Sequence, residues 1–185
     1  LVAPNPALIL ESLRSIGYSL ENAIADIIDN SISAGAENIW FNTTQNGEYI
    51  MISDDGEGMT EAELMDSLRF GSLDPLLERD YTDLGRFGLG LKLASLSYCR
   101  KLTVASKTET SEISIKQWDL DHIRNVKDWE LKSPDISGYP VIREKLDSVP
   151  SGTVVYWENI DRFIKDKHSL TSKDEKEWYA KQIEK

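Results

Sequence analysis

Cysteine is almost missing from this chain of 185 residues: Cys99 stands alone, so no internal disulfide can form. Lying between Leu96 and Leu102, it reads as a small buried residue in a protein of a reducing compartment rather than as a nucleophile. No apolar run approaches bilayer-spanning length, and no charged start leads into the apolar core of a signal peptide. Both absences point away from the membrane and towards a cytoplasmic location, or a nuclear one in a eukaryote. Basic charge is also short, with 21 Lys and Arg against 32 Asp and Glu and a net charge of −11. A domain this acidic does not indicate wrapping of nucleic acid, a local basic patch aside, and leaves such binding open to other domains. No repeat or low-complexity tract interrupts it. The chain starts without Met and closes on SKDEKEWYAKQIEK, as a piece excised from a longer protein would.

What is present is enough for one globular domain, with 40% apolar and 29% charged residues. The chain opens on a short helix, PALILESLRS, stopped by Gly17. Ser19 is the N-cap of a second helix whose apolar positions, Ala23, Ile24, Ile27, Ile28 and Ile32, keep helical spacing up to Gly35. Residues 36–44 and 48–53 read as two strands joined by a hairpin at Gln45-Asn46-Gly47. Thr60 and Glu63 form a capping box for a third helix, TEAELMDSLRF. Residues 71–84, of mixed polarity and no clean period, are placed as a lid. A helix at 89–97 and strands at 101–107 and 112–119 follow. The stretch from Leu120 to Val149 shows only a short helix at IREKLDS, and Thr153 opens a last strand, TVVYWENI. Residues 1–160 are read as the domain, and 161–185 as a helical extension leading into a further domain.

Three stretches carry chemistry. Asp26 and Asn30 stand four apart on the second helix and share a face, so the carboxylate can activate water while the carboxamide oxygen ligates a metal. The bland alternative is a solvated helix face. Asp54, at a strand end before Gly56 and Gly58, reads as a hydrogen-bond acceptor beside a flat ligand, the glycines letting that ligand lie against bare backbone. The segment lacks the spaced oxygen ligands of an EF-hand loop. Gly85, Gly88 and Gly90 run into a helix, and a glycine turn feeding a helix start presents free N–H groups suited to phosphates, with Lys92 as a point charge. An acidic domain that holds polyphosphate needs a cation as well.

Together ADIIDNSISAGA at 25–36, DDGEGM at 54–59, GRFGLGLK at 85–92 and SGTVV at 151–155 resemble, in order and spacing, the motifs of the GHKL family. That superfamily holds Hsp90, type II topoisomerase ATPase subunits, MutL, MORC proteins and sensor histidine kinases. The resemblance implies an α/β (α+β) two-layer sandwich, a mixed, mainly antiparallel sheet with helices packed on one face. It implies ATP and Mg²⁺ as ligands, with ATP or ADP as the bound partner and room for a nucleotide-dependent homodimer. Asp26 is then the catalytic carboxylate and Asn30 the Mg²⁺ ligand. Asp54 accepts the adenine amino group, directly and through water shared with Thr153. Ala34, Gly56, Gly58 and Met59 line the base pocket. Gly85, Arg86, Phe87, Gly88, Leu89, Gly90 and Leu91 cradle the phosphates, and Lys92 reaches them. ATP-hydrolysing relatives usually carry Glu where this chain has Asp26, a methylene shorter. The expected function is slow Mg-dependent ATP hydrolysis driving lid closure or dimerisation of a larger protein. The alternatives are a non-hydrolysing ATP-sensing switch and a histidine kinase catalytic domain. Against the kinase, both histidines, His122 and His168, lie downstream of the first motif.

Overall fold

A computed structural model describes residues 4–16, 19–44, 47–70 and 90–162. The expected hairpin tip at 45–46, the lid at 71–84, the phosphate residues 85–89 and most of the extension at 161–185 lie outside them. Helix α1 (Pro6–Leu13) starts on a proline, and the Asn5 side chain accepts from the backbone of Ala7 and Leu8. Helix α2 (Leu20–Ser33) is capped by Ser19, which accepts from the Asn22 N–H, and buries Ala23 and Ile27. Gly35, at φ +70, lets the chain leave it. Strands β1 (Ile39–Thr43) and β2 (Tyr49–Asp54) pair antiparallel in the register Thr43↔Ile50 to Ile39↔Asp54.

The capping box at Thr60 and Glu63 forms as expected and starts α3 (Glu61–Leu68). Helix α4 (Gly90–Tyr98) runs without a loop into β3 (Cys99–Lys107), and β4 (Ser114–Asp119) returns beside it. Helix α5 (Leu120–Val126) follows directly, a helix the sequence pattern did not predict. Only Leu120 and Ile123 bury on it, too few to mark a period; the Asp119 carboxylate nucleates it by accepting from the N–H groups of Asp121 and His122. Helix α6 (Pro140–Asp147) and β5 (Gly152–Ile160) complete the described chain.

The sheet order is β1-β2-β5-β3-β4, and every pairing among these strands is antiparallel. Strand β5, last in sequence, inserts at the centre and places Thr153 opposite Ser106 and beside the end of β2. Leu10, Ile27, Leu64, Leu68, Leu96 and Ile123, from α1 to α5, pack on Ile52, Leu102, Val155 and Trp157 to form the main core on one face. Helix α6 departs from the expected one-sided arrangement. Its Ile142 and Leu146 bury against Met51, Ala105, Ile115 and Val154 on the reverse face. Strands buried on both sides read as continuous apolar runs, which is why IMIS and VV carry no alternation. Cys99 is fully buried where α4 meets β3, and burial pushes its thiol up, so it is the inert core residue expected.

Candidate nucleotide site

Asp54 ends β2 on the helix-covered face, 6% exposed and under α2. One carboxylate oxygen accepts from the N–H groups of Gly56 and Thr153, each at 3.1 Å, and the other from the Ser31 hydroxyl at 2.8 Å. A carboxylate offers about four acceptor positions, so three internal donors orient it and leave capacity for a ligand. Its neighbour Asp55 has a different task. It accepts from the backbone of Glu37 at 2.9 Å and of Asn38 at 2.8 Å, and from the Asn38 amide, pinning the turn between α2 and β1. The Asn38 side chain, then the Asn38 and Glu37 backbone, hold the Asp55 carboxyl below its ordinary value.

The glycines of this loop answer a demand of protein packing that the sequence did not reveal. A Cβ on Gly56 would lie 2.7 Å from the Ala34 carbonyl oxygen, which already accepts from the Glu57 N–H at 2.9 Å. A Cβ on Gly58 would lie 1.9 Å from the Lys107 carbonyl oxygen, and one on Gly152 2.1 Å from that of Asp54. The loop is thus pressed between the end of α2, at Ala34, and the start of β5. Met59 is held by its N–H, which donates to Ser106 Oγ at 2.8 Å. Ser106 in turn lies 2.8 Å from the Thr153 hydroxyl, and Ser151 donates to the Gly56 carbonyl at 2.7 Å.

On α2, Asp26 is half-buried and Asn30 exposed, one turn apart. Burial raises the Asp26 carboxyl above its ordinary value, and the charge of Asp29 adds to the rise. Among the described residues the Asn30 carboxamide has no hydrogen-bond partner, so its oxygen is free to act as a hard ligand. Helix α2 packs on α4, whose first turn contains Gly90 and Leu91. Among the described residues no group of three or more His, Cys, Asp or Glu side chains forms a self-contained metal cage. A cation at Asn30 would therefore share its coordination with ligand oxygens, the usual habit of Mg²⁺.

Lys92, read from the sequence as a point charge for phosphates, turns inward. It is fully buried, donates to the Ser67 carbonyl at 2.5 Å at the end of α3, and sits 5.8 Å from the centre of the Phe70 ring. In the first turn of α4 its side chain faces the core, where the unfilled carbonyls at the C-terminus of α3 attract a cation. Burial pushes its amine down to about 8. Between that value and the 10.5 of an unhindered lysine, the unfolded chain holds a proton that the folded chain has released, so stability rises with pH there. Lys92→Met is expected to lie within about 1 kcal/mol of the parent at neutral pH, lost hydrogen bond offsetting lost desolvation. Urea titrations at about pH 7 and 9.5 should show the parent gaining on the variant at the higher pH.

The residues that pattern reasoning missed are serines. Ser31 follows Asn30 and one turn of helix aims it at Asp54, a signal the helical register contained. Ser106 had none, because its role exists only through strand pairing.

Residues 18–153 match the profile of the histidine kinase-, DNA gyrase B- and HSP90-like ATPases, and the chain belongs to that family of ATP-binding domains. It is similar to the DNA mismatch repair protein MutL of Dictyoglomus turgidum, 36% identical over 94 residues, 49% of this chain and 16% of that protein. The MutL of Dictyoglomus thermophilum is 31% identical over 112 residues, 59% of this chain and 20% of the relative. MORC family CW-type zinc finger protein 3 of Mus musculus is 30% identical over 90 residues, covering 46% of this chain and 10% of that protein. The matched stretch thus spans a fifth or less of these relatives. No helix among the described residues is long and apolar enough to cross a membrane.

Proposed function

We propose that this domain binds Mg-ATP and hydrolyses it slowly, and that the nucleotide state controls association of two copies of a larger protein. The observation that carries the reading is the buried Asp54 carboxylate, oriented by Ser31, Gly56 and Thr153, facing the helix that bears Asp26 and Asn30. Asp54 takes the amino group of the base, with Ala34, Met59 and Thr153 around it. Asn30 is the residue to hold Mg²⁺, which when bound neutralises phosphate charge. The N–H groups of Gly90 and Leu91 and the segment before them receive the phosphates. Asp26 orients the attacking water and takes its proton; in-line attack on a γ-phosphate asks for positioning and charge neutralisation more than covalent chemistry. Segment 71–84 is the proposed lid, and residues beyond 160 are proposed to lead to the part of the protein that moves. The MutL relatives, named for DNA mismatch repair, are consistent with a DNA-associated task for the whole protein.

The short Asp26 side chain favours a second reading, an ATP-sensing switch with little hydrolysis. Titration calorimetry of the chain with ATP, with and without Mg²⁺, tests binding, and phosphate release tests the chemistry. Asp26→Asn is expected to bind ATP within about threefold of the parent and release no phosphate. Asp26→Glu is expected to speed release by up to about 10²-fold, since an ångström of reach costs that much. Unchanged release in Asp26→Asn overturns the role of Asp26; a parent that binds ATP without releasing phosphate leaves the switch.

A further inference from the structure

Ser106 is a fully buried serine on β3, across from the first residues of β5. Its hydroxyl makes three contacts, one with the loop after β2 and two with neighbouring residues at the start of β5. It accepts from the Met59 N–H at 2.8 Å, donates to the Gly152 carbonyl at 2.9 Å, and lies 2.8 Å from the Thr153 hydroxyl. A serine has one proton and two lone pairs. With its proton on Gly152, both lone pairs receive donors, so the third contact runs from Thr153 to Ser106. Every position of the hydroxyl is filled.

The direction of that last bond matters. The Thr153 proton is committed inward, and its remaining lone pairs are the part of the hydroxyl left for a ligand or a bridging water. Asp54, 3.1 Å from the Thr153 N–H, is an acceptor as well. Asp54 then meets the 6-amino donor, and a water that gives one proton to Thr153 turns its other to N1, an acceptor in adenine; a 6-oxo purine reverses both, with a carbonyl at position 6 and an N–H at N1. A buried acceptor facing another acceptor is left unpaired, which is how such sites discriminate.

Resting on the reading of this pocket as an ATP site, we propose that Ser106 is a positioning residue that sets Thr153 as an acceptor and thereby sharpens selection of a 6-amino over a 6-oxo purine. Ser106 acts through Thr153 and does not touch the nucleotide. Its loss frees the Thr153 proton to turn outward and donate, which lets the bridging water accept from the N1–H of the wrong base.

The test is titration calorimetry of the 185-residue chain with Mg-ATP and Mg-ITP, comparing the parent, Ser106→Ala, Thr153→Ala and the double variant. Ser106→Ala is expected to weaken ATP by about tenfold, the worth of one well-placed hydrogen bond, and to narrow the ATP-to-ITP ratio. In the Thr153→Ala background the same change should add little further loss, as for two residues acting as one unit. A variant that weakens both nucleotides equally, leaving the ratio unchanged, shows Ser106 to be only structural and overturns the proposal, as does unaltered ATP affinity. A parent that binds no ATP overturns the nucleotide reading, and the role of Ser106 with it. Should Ser106→Ala not fold, Ser106→Cys replaces the hydroxyl by a weak hydrogen-bonding thiol of similar shape and serves the same comparison.

Discussion

Asp54→Asn is expected to abolish ATP binding, a loss of at least about a hundredfold, while the protein still folds. The carboxylate accepts from Gly56 and Thr153 on one oxygen and from Ser31 on the other. An asparagine can keep its carbonyl oxygen on the two backbone N–H groups. Its amide then faces Ser31, whose hydroxyl can turn its proton to the Ile27 carbonyl, 3.3 Å away, and accept instead. The fold therefore loses about 1.5–3 kcal/mol, the strength of a charge-assisted hydrogen bond. Binding fares worse, because the atom left facing the ligand is now a donor set against the amino donor of the base. Calorimetry reads the binding and thermal unfolding the fold. Affinity within threefold of the parent would show that the base is read elsewhere and would remove the observation on which the functional proposal stands.

Gly58→Ala carries the largest expected loss of stability. At φ +68 the backbone already disfavours a side chain, and the added Cβ would sit 1.9 Å from the Lys107 carbonyl oxygen and 3.1 Å from the Gly152 nitrogen. Both neighbours are backbone, held by the β3–β5 pairing Lys107↔Gly152, so neither can swing aside. Separating them breaks the Met59–Ser106 bond and shifts the end of β5. The expected cost is about 3 kcal/mol or more from strain and overpacking together, a fall in Tm of roughly 6–12 °C for a domain this size. Gly35→Ala is the control. It shares a positive φ, +70, but a Cβ there meets nothing within 4 Å, so only the backbone term of about 1 kcal/mol applies. Equal melting points for the two variants would refute the close-approach argument.

Both variants show where pattern reading succeeded and where it stopped. The place of Asp54 at the end of β2 was legible, because an acidic residue closing an apolar run before two glycines marks a strand end. Gly56 and Gly58 were legible as glycines, but the close packing that requires them was not, since what a missing Cβ faces is a property of the neighbouring chain. Lys92 shows the same division. Its place after a glycine turn suggested a phosphate contact, yet the register of α4 turns it to the carbonyl end of α3, 25 residues earlier in the chain. Helix α5 escaped because two apolar anchors make no period. The side of the sheet that α6 covers escaped because a strand buried on both faces says nothing about which helix lies where.

By itself the sequence determined the family, most of the helices and strands, and the acidic, carboxamide and glycine motifs, since each depends on local spacing or on caps a few residues apart. The tertiary structure alone decided how the site is held. Inserting β5 between β2 and β3 brings Thr153 to Asp54, 99 positions apart, and sets Ser106 against Thr153, 47 apart. Antiparallel pairing chooses such partners through register across the whole sheet, and no local pattern around Ser106 records that choice.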